Sequence, residues 1–161
     1  MIIAAYAGTG KTTLAEKYPQ AVVDFVCMPY KYILKEGISD ESSKADPNNV
    51  MQYEWPYNYI DAIKSALPGG KILLIPSDWL VLRLLEQNKF HYTLCYPVRS
   101  AKEIYHQRYL NRGNSIDFIN IFIGQWDRFM DLLEQDNYGQ HIVLKAHQFL
   151  GDAVEPLILP T

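Results

Sequence analysis

With 161 residues and a mass of 18.6 kDa the chain is sized for about one domain, and 48% hydrophobic against 20% charged residues excludes disorder, collagen and low-complexity sequence. A net charge of −3 and a pI near 5.8 remove any overall basic field, so broad coating of nucleic acid is excluded while a local basic patch is not. No apolar run nears the roughly 18 residues of a bilayer span, no basic region precedes Ile2-Ile3-Ala4-Ala5 to make a leader, and Cys27 and Cys95 lack the C-x-x-C spacing of a zinc or disulfide framework, so a reducing cytoplasm is expected.

Apolar runs alternate with segments of helical period, which predicts an α/β fold with a mainly parallel sheet. The first strand is expected over 2–6. A Gly-containing loop follows, then a helix from Lys11 that Pro19 limits to about two turns. A second strand is expected over 21–26, and 27–54 is the least regular part. A helix over 57–67 starts after Pro56, presents Ile60, Ile63 and Leu67 on one face, and ends at Pro68-Gly69-Gly70. The third strand is expected over 71–75. Ser77 or Asp78 caps the next helix, which reaches about Asn88 with Leu80, Val81, Leu84 and Leu85 inward. A fourth strand over 92–96 leads to a helix over 100–112 that stops at Gly113. Asn114 or Ser115 then caps one longer helix to about Asp136. A fifth strand over 141–145 and a short helix close the chain. Five strands with intervening helices fit a three-layer α/β/α sandwich, and the lack of repeats or linkers predicts one domain over 1–161.

Ala5-Tyr6-Ala7-Gly8-Thr9-Gly10-Lys11-Thr12 reads as G-x-x-x-x-G-K-[ST] with Ala5 at the first Gly, and it lies between a predicted strand and a predicted helix. Gly8 and Gly10 permit backbone conformations that aim successive N–H groups into one concavity, and the helix start adds its positive end. Ala7, Gly8, Thr9, Gly10, Lys11, Thr12 and Thr13 are the expected nucleotide-holding residues. Lys11 reaches the β- and γ-phosphates and the Thr12 hydroxyl ligates Mg²⁺. The loop by itself predicts nucleotide binding without separating kinases from ATPases or motors.

A phosphate loop needs a further carboxylate for its metal. Asp24 and Asp78 stand near the ends of predicted strands two and three, where ligands of open α/β sheets bind. Asp78 has a helix N-cap as its other explanation. Asp24 could serve the metal, act as general base, or meet the acceptor hydroxyl. Between them, 36–61 carries six acids against Lys44 alone, either a solvated acidic face or a cover that disfavours a highly charged acceptor. Tyr30, Tyr32, Tyr53, Tyr57 and Tyr59 in the same region could stack on a base or fill the cover.

On the helix over 100–112, Ala101, Ile104 and Tyr105 define the apolar face, and Arg108 and Arg112 continue it. Arginine on such a face needs an anionic partner, either bound phosphate or acids such as Asp117 or Asp127. Arg108 and Arg112 are therefore candidate catalytic residues that neutralise a transferred phosphoryl group from a mobile element. Arg99 is a third candidate, Arg128 and Arg83 are weaker, and Arg83 is expected in solvent. His91, His106, His141 and His147 show no metal spacing.

Three stretches carry a family likeness: Ala7-Gly8-Thr9-Gly10-Lys11-Thr12 with Lys17-Tyr18-Pro19; Val23-Asp24 with Tyr30-Lys31-Tyr32; and Tyr96-Pro97, Tyr105, Arg108-Tyr109, Asn111-Arg112-Gly113-Asn114 and Trp126-Asp127. In these the chain resembles the nucleoside and nucleotide kinase branch of P-loop proteins, and more closely a group of short bacterial and bacteriophage P-loop proteins described as kinase-like. The resemblance implies a P-loop NTPase fold with sheet order 2-3-1-4-5 and use of ATP with Mg²⁺. It also implies an acid and two serines soon after Asp24, where this chain has Val26, Cys27 and Met28.

The combined expectation is an ATP-dependent phosphotransferase with Lys11, Asp24, Arg108 and Arg112 as catalytic residues and Thr12, Asp24 and Asp78 toward the metal. Residues 27–56 would cover the acceptor side and 99–114 form a lid-like arginine segment. The acceptor is expected to be a small molecule, a nucleoside or nucleotide, with no membrane partner. The alternatives are a P-loop ATPase or nucleotide-binding protein without a small acceptor, and a kinase acting on nucleic-acid ends.

Overall fold

Ile2, Ile3, Ala4 and Ala5 are all buried, the mark of a strand with helices on both of its faces. The computed structural model describes residues 1–35 and 45–159. Its strands are β1 (Ile2–Ala5), β2 (Val22–Asp24), β3 (Ile72–Pro76), β4 (Thr93–Pro97) and β5 (Gln140–Leu144). They form one five-stranded sheet in the order β2-β3-β1-β4-β5, every pair parallel, as the resemblance implies. The α-helices among the described residues are α1 (Lys11–Lys17), α2 (Met28–Lys31), α3 (Tyr57–Ala66), α4 (Trp79–Gln87), α5 (Lys102–Asn111), α6 (Ile116–Phe122), α7 (Trp126–Glu134) and α8 (Leu150–Ile158). None is long and apolar enough to cross a membrane.

The two-residue period of the strands sorts the core into two sides. Ile2, Ala4, Tyr6, Leu73, Ile75, Leu94 and Tyr96 face α3 to α7. Ile3, Ala5, Ile72, Leu74 and Cys95 face Leu14 of α1 and Leu150 and Val154 of α8. A parallel sheet needs such cover on both faces, and the result is the expected three layers. Below the loop, Tyr6 meets Phe122 and Trp126 edge-on at 5.8 and 5.6 Å, a geometry that suits the ring quadrupoles.

The described residues of 27–54 are tied by side-chain amides. Gln52 donates through Nε2 to the carbonyls of Pro29 and Tyr32 at 2.6 and 3.0 Å, and Asn58 Nδ2 to that of Tyr30 at 2.8 Å. Backbone bonds from Ile33 to Val50 and from Gln52 to Lys31 strap it further. Glu36, Asp40, Glu41 and Lys44 of the acidic stretch lie outside the described residues.

Two expectations are corrected. The single helix predicted after Ser115 is two, α6 and α7, with a break at Ile123-Gly124-Gln125. The Gly124 amide reaches back to Ile119 O at 3.4 Å, one residue further than an α-helical bond, and a Cβ there would lie 2.1 Å from Asn120 O. The break turns α7 so that Trp126 is fully buried and donates from Nε1 to Arg99 O at 3.0 Å. In α4 the buried arc is Val81, Leu82 and Leu85, while Leu80 is 40% exposed. Val81 and Leu85 centre the arc toward Leu82, which carries Leu80 to the solvent side.

Gly124→Ala is expected to destabilise the fold by about 2 kcal/mol through overpacking, seen as a Tm about 4–8 °C lower for a chain of this size. Thermal unfolding followed by circular dichroism checks this, and an unchanged Tm would show that the break does not need glycine.

Candidate functional site

The site begins with where the carbonyls of the loop after β1 go. Tyr6 O accepts from Thr9 Oγ1 at 2.8 Å, Ala7 O from the Tyr109 hydroxyl at 2.8 Å, and Gly8 O from Arg108 Nη1 at 3.1 Å. Thr9 O accepts from the Leu150 amide at 2.8 Å, and Gly10 O from the Leu14 amide at 3.0 Å. Lys11 Nζ donates to Ala5 O at 3.0 Å. The run from Ala5 to Gly10 thus has its acceptors turned into the protein. The amides of Ala7, Gly8, Gly10, Thr12 and Thr13 take no acceptor among the described residues. A backbone with its oxygens tied back and its N–H groups unclaimed at a helix start is an anion cradle.

Two features hold that backbone. Gly8 and Gly10 have φ of 83° and 98°, and a Cβ on Gly8 would lie 2.8 Å from the Tyr109 ring. Glycine is therefore needed at position 8 for both conformation and close approach. Thr9 is fully buried, and its hydroxyl points into the protein rather than toward a ligand.

Arg108 sits at the junction. Its guanidinium lies 4.5 Å from the Tyr105 ring centroid and 3.9 Å from that of Phe149. Beyond Gly8 O it reaches Ala146 O and Gln148 O at 3.4 and 3.3 Å. These acceptors are neutral, so neither expected acid meets this arginine. The buried arc of α5 runs through Ala101, Tyr105 and Tyr109, with Arg108 half-buried at its margin. Arg112 shares the arc's direction but caps the end of α5, where the helix has passed the core, and it is exposed.

Asp24 stands beside the loop at the end of β2, and its Oδ2 accepts from Thr12 Oγ1 at 2.6 Å. Its Oδ1 is buried without a hydrogen-bond partner among the described residues. A buried carboxylate oxygen left unbonded is costly unless a ligand completes it. Hydroxyl and carboxylate oxygens are the hard donors that Mg²⁺ takes, so Thr12 and Asp24 fit the metal that the loop motif implies.

Asp78 is committed otherwise. Its Oδ1 caps α4, accepting from the amides of Leu80 and Val81 at 3.0 and 3.4 Å, and its Oδ2 accepts from Lys31 Nζ at 3.1 Å. The metal assignment therefore concentrates on Asp24 and Thr12. Cys27 lies in the same neighbourhood, and burial pushes its thiol up to about 11 against the opposing pull of Lys31. Tyr59, whose hydroxyl donates to Phe25 O, stacks with Phe25 and Trp55 at centroid separations of 5.6 and 5.7 Å. The tyrosines of this region that are buried serve its core, while Tyr53 and Tyr57 are exposed.

Arg99 leaves the site altogether. It pairs with Asp131 at 2.6 Å, Glu134 at 2.9 Å and Asp127 at 3.6 Å, joining the start of α5 to α7. The acid Asp127 expected for Arg108 or Arg112 is thus used by Arg99. Arg83 is exposed over the Trp79 ring, as expected, and Arg128 donates to Gln125 Oε1 at 3.3 Å. No group of His, Cys, Asp and Glu suited to a metal occurs among the described residues.

On the outer side of Arg108, a cavity of about 400 Å³ is lined by Glu103, Ile104, Gln107, Asn111, His147 and Phe149. Sequence reasoning missed Tyr109 and Phe149 as parts of the site. Tyr109 follows Tyr105 by one turn, which signals a buried face but not a hydroxyl under the loop. Phe149 meets Arg108 and Gly10 only through the β5–α8 connection. No protein-family model matches the chain, and no curated protein matches it.

Two outcomes follow from this geometry. Arg108→Ala is expected to cost about 2 kcal/mol, the scale of hydrogen bonds to a charged group, lowering Tm by about 4–8 °C. Arg108→Lys restores little, because one ammonium cannot span the three carbonyls. Scanning calorimetry on both variants checks this, and an Arg108→Ala protein of unchanged Tm would contradict it. The raised Cys27 thiol stabilises the fold fully below about pH 8.5, its unfolded value, and loses that contribution as pH rises toward 11. Alkylation of Cys27 in the folded protein at pH 8 is accordingly slow, with mass spectrometry as the readout. Labelling at the rate of a free thiol would refute the burial argument.

Proposed function

We propose that this chain is an ATP-dependent phosphotransferase of P-loop NTPase fold, nucleoside or nucleotide kinase-like, acting on a small acceptor in a cytoplasmic setting. One observation carries the reading: the amide cradle stands directly against a hydroxyl–carboxylate pair, Thr12 and Asp24, whose remaining oxygen is buried and unbonded among the described residues. Pure anion binding has no need of that carboxylate.

In this reading the amides of Ala7, Gly8, Gly10, Thr12 and Thr13 and the Lys11 ammonium hold the phosphates of ATP. Thr12 and Asp24 would hold Mg²⁺, which supplies neutralisation of phosphate charge. The cavity beside Phe149 and Arg108 is large enough for the base. In the reaction, the acceptor hydroxyl oxygen bonds to the γ-phosphorus. The bond from that phosphorus to the β–γ bridging oxygen breaks, and ADP departs with the oxygen. In this reading Asp24, the carboxylate beside the loop, would accept the hydroxyl proton. Arg108 fixes the loop, and Arg112, exposed at the end of α5, is the arginine able to approach the transferred group.

A second reading, a P-loop ATPase or nucleotide-binding protein without a small acceptor, is favoured by Val26-Cys27-Met28 in place of the acid and serines, and by an Arg108 already engaged with backbone. A kinase of nucleic-acid ends draws less support, because Arg99 is enclosed by acids. Incubation with ATP, Mg²⁺ and a panel of nucleosides, nucleotides, hydroxyl metabolites and a 5′-hydroxyl oligonucleotide separates them by the product formed. ADP release without any acceptor points to the second reading.

Lys11→Ala is expected to weaken ATP binding or turnover by about 100-fold, and Asp24→Asn to lower kcat by roughly 10²–10⁴-fold with a small change in Tm. Titration calorimetry and steady-state kinetics read these; full activity in both would end the phosphotransferase reading. Arg112→Ala should leave Tm unchanged and lower kcat by about 10²-fold, a separation of effects opposite to that of Arg108→Ala.

A further inference from the structure

Beyond the amide cradle, the outer row of α5 carries chemistry that the phosphates do not use. Glu103, Gln107 and Asn111 follow at four-residue spacing, so they stand one above another along one side of the cavity of about 400 Å³. Ile104 and Phe149 give that cavity its apolar walls. Phe149 also reaches the loop, since a Cβ on Gly10 would lie 3.4 Å from its ring. The cavity and the cradle thus share a wall, and a group attached to phosphates in the cradle has the cavity beside it.

The polar atoms along this row are not equivalent. Arg108 gives Nη1 and Nη2 to the carbonyls of Gly8, Ala146 and Gln148, and its guanidinium lies against the rings of Tyr105 and Phe149. Its hydrogen-bonding capacity is turned inward. Gln107 donates from Nε2 to Glu103 Oε1 at 3.2 Å. A carboxylate oxygen accepts, so this contact puts the amide nitrogen toward Glu103 and leaves the amide oxygen on the other side. Gln107 Oε1 takes no donor among the described residues. An untethered glutamine suits either kind of base, because its amide turns over to offer nitrogen or oxygen. Held by Glu103, it resists that turn, which would set its oxygen against the Glu103 oxygen.

Resting on the reading of the loop as the nucleotide site of a phosphotransferase, we infer that Gln107 reads the base, with Glu103 as its positioning residue. The pair selects a base with an exocyclic amino group, adenine among the purines, over a 6-oxo purine. The adenine amino group donates to Gln107 Oε1. The oxygen at the same place in hypoxanthine or guanine meets the Gln107 oxygen, acceptor against acceptor, and Glu103 opposes the flip that would relieve it. The discrimination lies as much in that clash as in the bond.

Titration calorimetry with ATP and with inosine 5′-triphosphate, each with Mg²⁺, tests this at one edge of the base, where an amino group and a bare ring nitrogen give way to an oxygen and an N–H. Wild-type protein is expected to bind ATP about tenfold tighter, the scale of one hydrogen bond and an unmet acceptor. Gln107→Ala should bring the two affinities within about threefold by weakening ATP. Glu103→Gln should also bring them within about threefold, but by strengthening inosine triphosphate relative to ATP, because two paired amides can turn over together. Each ratio is taken on one protein, so a loss of stability common to both ligands cancels. Equal affinities in the wild type, tighter binding of inosine triphosphate, or a ratio unmoved by Gln107→Ala overturns the inference and leaves the phosphotransferase reading intact. A preference for ATP that both variants relax, without transfer to any acceptor, upholds the inference and ends the phosphotransferase reading. Binding of neither nucleotide ends both.

Discussion

The orientation of a few backbone carbonyls is the constraint on which the rest of this molecule depends. A peptide group cannot offer its N–H to a ligand on one side of a loop unless its oxygen is satisfied elsewhere. Here the satisfying donors come from α5 (Tyr109, Arg108), α8 (Leu150) and the loop itself (Thr9). The first lies on one face of the sheet and the second on the other, so both layers must be built before the loop has its shape.

The large aromatic core follows from this requirement. Tyr105 and Tyr109 can stand under the loop only if α5 is held rigidly, and Tyr6, Phe118, Phe122 and Trp126 surround them to do so. The break at Gly124 brings Trp126 into that cluster, and the Arg99 ion pairs join α5 to α7 from outside. The side beside Asp24 has a different basis. There, short strands end in Asp24 and the Asp78 cap, and a strap held by Gln52 and Asn58 carries Lys31. One half of the site is ordered by packing and the other by polar side chains.

What was legible in the chain was local or periodic. The loop motif, the buried strands, the Pro and Gly boundaries and the closeness of Asp24 to Thr12 all rest on short spacings. The sheet order came with the family resemblance rather than from any spacing. A helical wheel could bring Arg108 to the apolar side of α5, but its partner Gly8 lies 100 residues away. Nothing in the wheel distinguishes a backbone carbonyl from a bound anion. Arg99 was misjudged because its place at the end of the fourth strand put it near the site, while the acids that hold it, Asp131 and Glu134, lie 32 and 35 residues further along the chain. The split after Phe122 was hidden because one glycine is tolerated within a helical pattern, and only the contact with Asn120 O shows why this one is not ordinary. Leu80 failed for a smaller reason, a rotation of the buried arc that four consecutive apolar-rich positions do not define.

Arg108 gives the site one more property. Its hydrogen-bond acceptors are neutral carbonyls and its stacking partners are rings, so its full charge is projected outward from a half-buried position beside the amide cradle. A fixed positive charge at the mouth of an anion site acts on ligands before they arrive. In a protein of net charge −3, that local field opposes the sign of the whole and channels polyanions toward one spot on the surface. In the proposed reading, the arrival of a nucleotide is a matter of kinetics as well as affinity. Association should be fast in dilute buffer and slow as salt shortens the reach of the field from about 30 Å at 0.01 M to about 8 Å at 0.15 M.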